Sequence, residues 1–389
     1  MAEEPGFRVV EPPRSVFRRK RFLLPFGVAV AVALAGVIAL FASGTVALPV
    51  QQVLVVRGMI ASKRDFFQDP EVKRLLMAHR IQVRMTPVGS RELVGRQDLD
   101  EFDFVFPSGQ SSVEVVYERR KGKPVNPYRP FFTPIVLATY AEYVAALEQA
   151  GVVREQAGSE GLYYDLSVPA LIKVMQEGKF WSDYGMSNNN RLIAQIPDPC
   201  RTYSGSAYLG MLAFSLNGNR PPTEEDTAVR IARGIKPLLE VEGQYGDDHA
   251  PKFLAPDGRT FATVVVVYEH QFLAHQFAVQ DRTGQPDRTR VLLYPEAQHE
   301  TAPELLAFTP AGSRLGELVS ENPALRRRAL ELGFRVLGPS GETSHYGALS
   351  EYLQQRGLPT PTSGVGDTET WMPNRRLLEK MIVEVGGCP

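Results

Sequence analysis

Cysteine is nearly absent: Cys200 and Cys388 are the only two in 389 residues. Neither lies near the N-terminus, which excludes anchoring there through a lipid-modified cysteine. In an oxidising compartment the two would pair and staple the C-terminal end to the body of the chain. Two unrelated thiols fit the sequence equally well, because their separation in space is not readable from it. Histidine is scarce too, with His79, His249, His270, His275, His299 and His345. No pair has the spacing of a zinc-binding helix. His270 and His275, five apart, face different sides, and Glu300 after His299 lacks a downstream ligand set. The sequence has neither a Gly-x-Ser-x-Gly elbow nor a phosphate-binding P-loop, which removes the hydrolases and nucleotide hydrolases those motifs mark. No metal and no cofactor are implied, and no repeat of solenoid period is visible. Neither sign of charge dominates: 43 Lys and Arg stand against 44 Asp and Glu. No basic stripe marks a nucleic-acid surface. A hydrophobic content of 43% and a charged content of 22% are ordinary for a globular protein.

Charge is missing altogether from Phe22 to Ala42, directly after Arg18, Arg19, Lys20 and Arg21. An apolar helix of about 20 residues spans a bilayer, and a basic flank stays on the cytoplasmic side. The expected organisation is therefore a cytoplasmic basic tail over 1–21, a transmembrane helix over 22–42, and an extracytoplasmic bulk. A cleaved signal peptide is the rival, with Thr45, Val46 and Ala47 as a weak cleavage site, although its apolar core is usually shorter. A buried soluble helix fits poorly beside four consecutive basic residues.

Beyond the span, strands and helices alternate. Gln51 to Val56 reads as a strand, followed by a helix from Asp69-Pro70 to His79, since proline suits a first helical turn. Ile81 to Pro87 and Phe102 to Phe106 read as further strands, the second leading through Pro107, Ser108, Gly109, Gln110, Ser111 and Ser112 into a helix. Pro134 to Ala138 is strand-like, and Tyr140 to Ala150 and Leu166 to Gly178 have helical spacing. Leu192 to Ile196 reads as a strand, and Ala207 to Leu216 as a helix after Ser204, Gly205 and Ser206. Phe261 to Tyr268, with four consecutive valines, is the most strand-like run, and Glu269 follows it. Val291 to Tyr294 is another strand, Leu325 to Leu332 a helix, and Gly338 to Met372 a polar stretch rich in Gly and Pro. Repeated strand, polar loop and helix predict an α/β fold with a mainly parallel sheet, binding ligands beyond the carboxyl ends of its strands.

In order and spacing these segments resemble the type 2 periplasmic binding protein family, the solute-binding components that serve ABC importers. The resemblance runs from Gln51 to Arg335. It rests on the loop from Gly58 to Ser62, the run Asp103 to Ser108, Thr133 to Ala138, Asn190 to Ala194, Asp198-Pro199, Ser204 to Ser206, Val264 to Glu269, Leu292 to Glu296, and Leu332 to Arg335. It implies two lobes, with lobe 1 over 51–190, lobe 2 over 191–290, and a return to lobe 1 with a C-terminal tail over 291–389. It also implies a binding protein rather than an enzyme, with a small polar solute and an ABC permease or another membrane protein as partners.

Hydroxyls and unpaired backbone N–H groups at helix starts suit an anionic or polyhydroxylated ligand. The expected cleft residues are Ser62, Ser108, Gln110, Ser111, Thr133, Thr202, Ser204, Ser206, Tyr268 and Glu269. Ordinary helix capping explains each serine or threonine singly. Arg57, Lys63 and Arg201 beside these loops favour an anion, whereas Glu269 opposes one. Two other functions stay open: lobes retained only as an interaction platform, and a serine hydrolase built on Ser204 or Ser206.

Overall fold

The computed structural model describes residues 26–36, 52–240, 249–301, 303–336, 345–362 and 372–388. Its strands, in chain order, are β1 Leu54–Ile60, β2 Ile81–Pro87, β3 Phe104–Phe106, β4 Asn126–Tyr128, β5 Phe131–Tyr140 and β6 Val153–Glu155. Then follow β7 Tyr163–Leu166, β8 Val264–Tyr268, β9 Arg290–Pro295, β10 His299–Thr301, β11 Leu305–Ala307 and β12 Arg335–Val336.

They form two main sheets. The first has the order β2-β1-β3-β11-β4, with β2, β1 and β3 parallel and β11 antiparallel to β3 and β4. The second runs β10-β5-β9-β7-β6, with β8 also antiparallel to β5 and β12 paired to its start. The chain thus leaves the first sheet after Tyr128 and returns to it at Leu305. Sheet membership departs from the expected lobe boundaries: β5, β6 and β7 fall within 51–190 yet belong to the second sheet. β5 is buried at all ten positions. A strand apolar on both faces reads alike in either lobe, so its pattern does not reveal which sheet it joins.

The first lobe is centred on phenylalanines. Phe66 and Phe67 of the short Arg64–Gln68 helix pack with Phe104, Phe106, Phe131 and Phe334, and the Phe131 and Phe334 ring centroids are 4.3 Å apart. This anchors the turn that carries Ser62 and Lys63. The next helix, Pro70–Ala78, opens as expected: Asp69 accepts a hydrogen bond from the Val72 amide at 2.9 Å, and proline occupies the first turn. In the second lobe the Tyr203–Leu216 helix is buried on nearly every side, as a helix apolar all round must be. Thr202 caps it, accepting from the Gly205 amide at 3.2 Å. The helix therefore starts ahead of the expected Ala207 and takes Ser204 and Ser206 into its first turn. Leu192 to Ile196 forms no strand of its own. It meets the sheet through one bridge, between Gln195 and Val265.

Two helices lie in the C-terminal region. His345–Gln355 sends Leu349 and Leu353 into a core with Phe272, Phe277 and Tyr294, within a stretch expected to be polar and irregular. Arg375–Gly386 packs Leu377, Leu378, Met381, Ile382 and Val385 into the second lobe. Cys388, just beyond it, is disulfide-bonded to Cys200, with the Cα atoms 5.8 Å apart.

The expected membrane span over 22–42 falls partly outside the described residues. Its described part, 26–36, is helical and exposes Phe26, Val28, Val30, Val32 and Leu34. Among the described residues no helix is long and apolar enough to cross a membrane.

Candidate functional site

Because β1, β2 and β3 are parallel, their carboxyl ends share one edge of the first sheet, and the three following loops converge there. They bring together Ser62, Ser90 and Ser108. The Ser62 amide donates to Ser108 Oγ at 3.0 Å, and the two hydroxyl oxygens are 2.5 Å apart. Ser90 Oγ accepts from the Ser108 amide at 3.1 Å. Ser90 escaped the sequence reading, although its place, just after a strand and at the start of a helix, matches that of the others.

The second lobe supplies the opposite wall. Tyr268 ends β8, and Tyr203 and Ser204 open the long buried helix. Ser62 Oγ donates across the gap to the Tyr268 hydroxyl at 3.4 Å. Burial pushes the Tyr268 phenol up to about 12, against the opposing hydrogen bonds of Ser62, Ser204 and Ser108, so this hydroxyl stays protonated in neutral solution. Tyr203 is bonded through its hydroxyl to His299 Nε2 at 2.8 Å. The residues enclose a cavity of about 50 Å³. Glycines allow the two walls to meet. A Cβ on Gly89 would stand 2.5 Å from the Arg201 carbonyl oxygen, and one on Gly109 would run into the Tyr203 ring.

No family model and no curated protein matches this sequence. Solved structures do match in three dimensions. The apo ferric ion-binding protein A of Pasteurella haemolytica aligns over 86% of this chain and 95% of its own, with a TM-score of 0.51 and 13% identity. AfuA of Actinobacillus pleuropneumoniae, a periplasmic binding protein with fructose-6-phosphate bound, aligns over 85% and 98%, with a TM-score of 0.51 and 13% identity. Iron-bound HitA of Pseudomonas aeruginosa aligns over 86% and 99%, with a TM-score of 0.50 and 12% identity. The fold is that of the type 2 periplasmic binding proteins.

Within this periplasmic-binding-protein fold, Ser62, Ser108, Thr202, Ser204 and Tyr268 line the cavity, and the other five expected residues do not. Gln110 is exposed and Ser111 half-buried on the helix beyond Ser108. Ser206 donates back to the Tyr203 carbonyl at 2.9 Å. Thr133 lies inside the second sheet, where its hydroxyl accepts from the His270 amide at 3.2 Å. Glu269 turns away from the cleft into the core. Both its oxygens accept from Arg335 at 2.6 Å, and one also accepts from the Tyr294 hydroxyl at 2.7 Å. The acid that opposed an anion is thereby neutralised by a partner that sequence order placed far from it.

Of the three basic candidates, Arg57 and Arg201 are exposed, whereas Lys63 is fully buried. Its Nζ donates to Ser62 Oγ at 3.1 Å and sits 3.3 Å from the centroid of the Tyr268 ring. Burial pulls its pKa well below the ordinary lysine range, with Asp65 opposing. Among the described residues, no group of three or more His, Cys, Asp or Glu is arranged to hold a metal ion.

His270, just behind this wall, is buried and stacks on Phe334 with centroids 4.0 Å apart. Burial lowers its pKa from 6.5 to about 4, against the pull of Asp65, whose carboxylate is 3.7 Å from Nε2. Between those two pH values the unfolded chain binds a proton that the folded chain refuses. Stability is expected to fall as the pH drops through that window, by up to about 3 kcal/mol. Urea titrations at pH 7, 6, 5 and 4 measure it. His270→Gln should flatten the slope, and an unchanged slope would assign the loss to other groups.

Proposed function

We propose that this chain is an extracytoplasmic solute-binding protein that takes a small polar solute between its lobes, for ABC-type uptake or for ligand sensing. One observation carries the reading: hydroxyls of Ser62 and Ser108 from one lobe and of Ser204 and Tyr268 from the other meet around a single cavity at the carboxyl ends of the strands. Convergent polar groups between two lobes are the usual form of such a site. The uncharged run over 22–42 after Arg18 to Arg21 supports a single-pass anchor with the N-terminus cytoplasmic. A permease or another membrane protein is then the natural partner. Ser206 is buried and donates to the carbonyl of its own helix, which gives it no support as a hydrolase nucleophile.

The test is a melting-temperature screen of the chain against small polar solutes. A solute at 100 times its Kd stabilises by about 2.7 kcal/mol. Gly109→Val should fold with wild-type helix content yet lose that shift, because its side chain occupies the space of the Tyr203 ring and props the lobes apart. The close fit of the lobes favours one alternative, a clamshell kept as an interaction platform. A broad screen without any shift would select that alternative.

A further inference from the structure

The described part of the cavity wall carries charge of one sign only. Among the described residues lining it are Arg64 and no carboxylate at all. Lys63 stands immediately behind Ser62 and Tyr268, with its amine directed onto the Ser62 oxygen. The described acids that adjoin lining residues in sequence are engaged elsewhere: Glu269 with Arg335, Asp65 toward His270, and Asp198 with the Cys200 amide. Because Lys63 donates to Ser62 Oγ, the Ser62 proton is directed onward, to Ser108, to Tyr268 or into the cavity. Ser90, Ser108, Ser204 and Tyr268 add further hydroxyls. A wall that offers donors in excess and is backed by an amine suits a ligand that only accepts hydrogen bonds. At about 50 Å³ the cavity has room for only a few heavy atoms.

Resting on the solute-binding reading above, we infer that the cleft takes a small inorganic oxyanion, with Lys63 as the buried counter-charge that reaches it through Ser62. An ammonium in that place is costly until an anion arrives, and strongly favoured afterwards. Binding should therefore be accompanied by proton uptake at Lys63. The other titratable groups around it and the cavity are Asp65 and Arg64 on the helix that Lys63 caps, His270 beyond Asp65, the Tyr268 phenol, and His249 and Tyr203 across the cavity. In neutral solution His270 is held neutral by burial and the Tyr268 phenol stays protonated. Neither has a proton to gain from an anion as readily as the amine has.

The experiment is calorimetric titration of the full chain with sulfate near pH 8, in two buffers of different ionisation enthalpy. Sulfate carries no proton at that pH, so any uptake belongs to the protein. Phosphate, glycerol and ammonium form the comparison set. The expected result is binding of sulfate or phosphate with proton uptake, and neither with glycerol nor ammonium. Lys63→Met should weaken the anion at least about tenfold and abolish the uptake. Without anion it should melt no lower than wild type, since an apolar chain replaces a buried amine. Arg64→Gln, a milder change at the rim, should weaken the anion about threefold and serves if Lys63→Met fails to fold. Wild-type affinity in Lys63→Met, or a role for Arg64 alone, would overturn the assignment. Binding of glycerol or ammonium in preference to the anions would overturn the oxyanion while leaving a solute-binding protein in place. Failure of every probe would overturn the oxyanion too, and the wider melting screen would then decide the solute-binding reading by itself.

Discussion

Arg335→Met is expected to cost about 3–5 kcal/mol of folding stability, the loss typical when one partner of a buried ion pair is removed. Neither Arg335 nor Glu269 exposes any side-chain surface. With Arg335 gone, the Glu269 carboxylate keeps only the Tyr294 hydroxyl as a described side-chain donor. The double variant Glu269→Gln, Arg335→Met should recover most of the loss, because it removes the stranded charge rather than one side of the pair. Urea unfolding of the three proteins gives the comparison. A single-variant loss under about 1 kcal/mol would mean that solvent reaches the pair. The effect should extend to the cleft. Glu269 directly follows Tyr268, and Arg335 lies on β12, which pairs with β5. Loosening this pair therefore loosens the residue that receives the Ser62 hydroxyl.

A second large loss is expected from the disulfide. Cys200 and Cys388 are 188 residues apart. Chain-entropy arguments give a loop of that size about 5 kcal/mol, and measured values for native disulfides usually fall at about 2–5 kcal/mol. Changing both cysteines to serine should lower stability within that range, as read by denaturant titration under oxidising conditions. A loss below about 1 kcal/mol would show that the packing of the Arg375–Gly386 helix already fixes the C-terminal region. That helix also reaches across to the first lobe. Glu379 pairs with Arg91 at 2.5 Å, and Arg375 with Glu118 at 2.8 Å. Both pairs are partly exposed and so contribute little each, which leaves the buried apolar face of the helix and the disulfide as its main ties.

Local signals proved the most legible in the sequence. Ile81 to Pro87 reads as a strand from its alternation and is one over those residues. Asp69 followed by Pro70 announces a helix start, and the cap is there. Ser62, Ser108, Ser204 and Tyr268, which line one cavity, each stand at a strand end or a helix start, a relation preserved in one dimension. What failed needed three dimensions. Glu269 directly after a strand reads as a cleft residue until Arg335, 66 positions later, is seen to hold it. Thr133 reads as accessible until β10 and His270 are packed on its strand. The change of sheet at Phe131 is silent, because β5 is apolar on both faces. Ser90 was recoverable, since it stands after β2 as Ser62 stands after β1. The pairing of the cysteines was not, because nothing local encodes their distance.

The arrangement of the two cores also sets an order of events during synthesis. The first lobe needs β11 and Phe334 in addition to its early strands, and the second needs Leu377 through Val385. A nascent chain therefore finishes neither hemisphere while it is still emerging. Domains that close on late residues cannot fold vectorially from the N-terminus. Its apolar strands, β5 and β8 above all, gain their full cover only once the last helix has emerged.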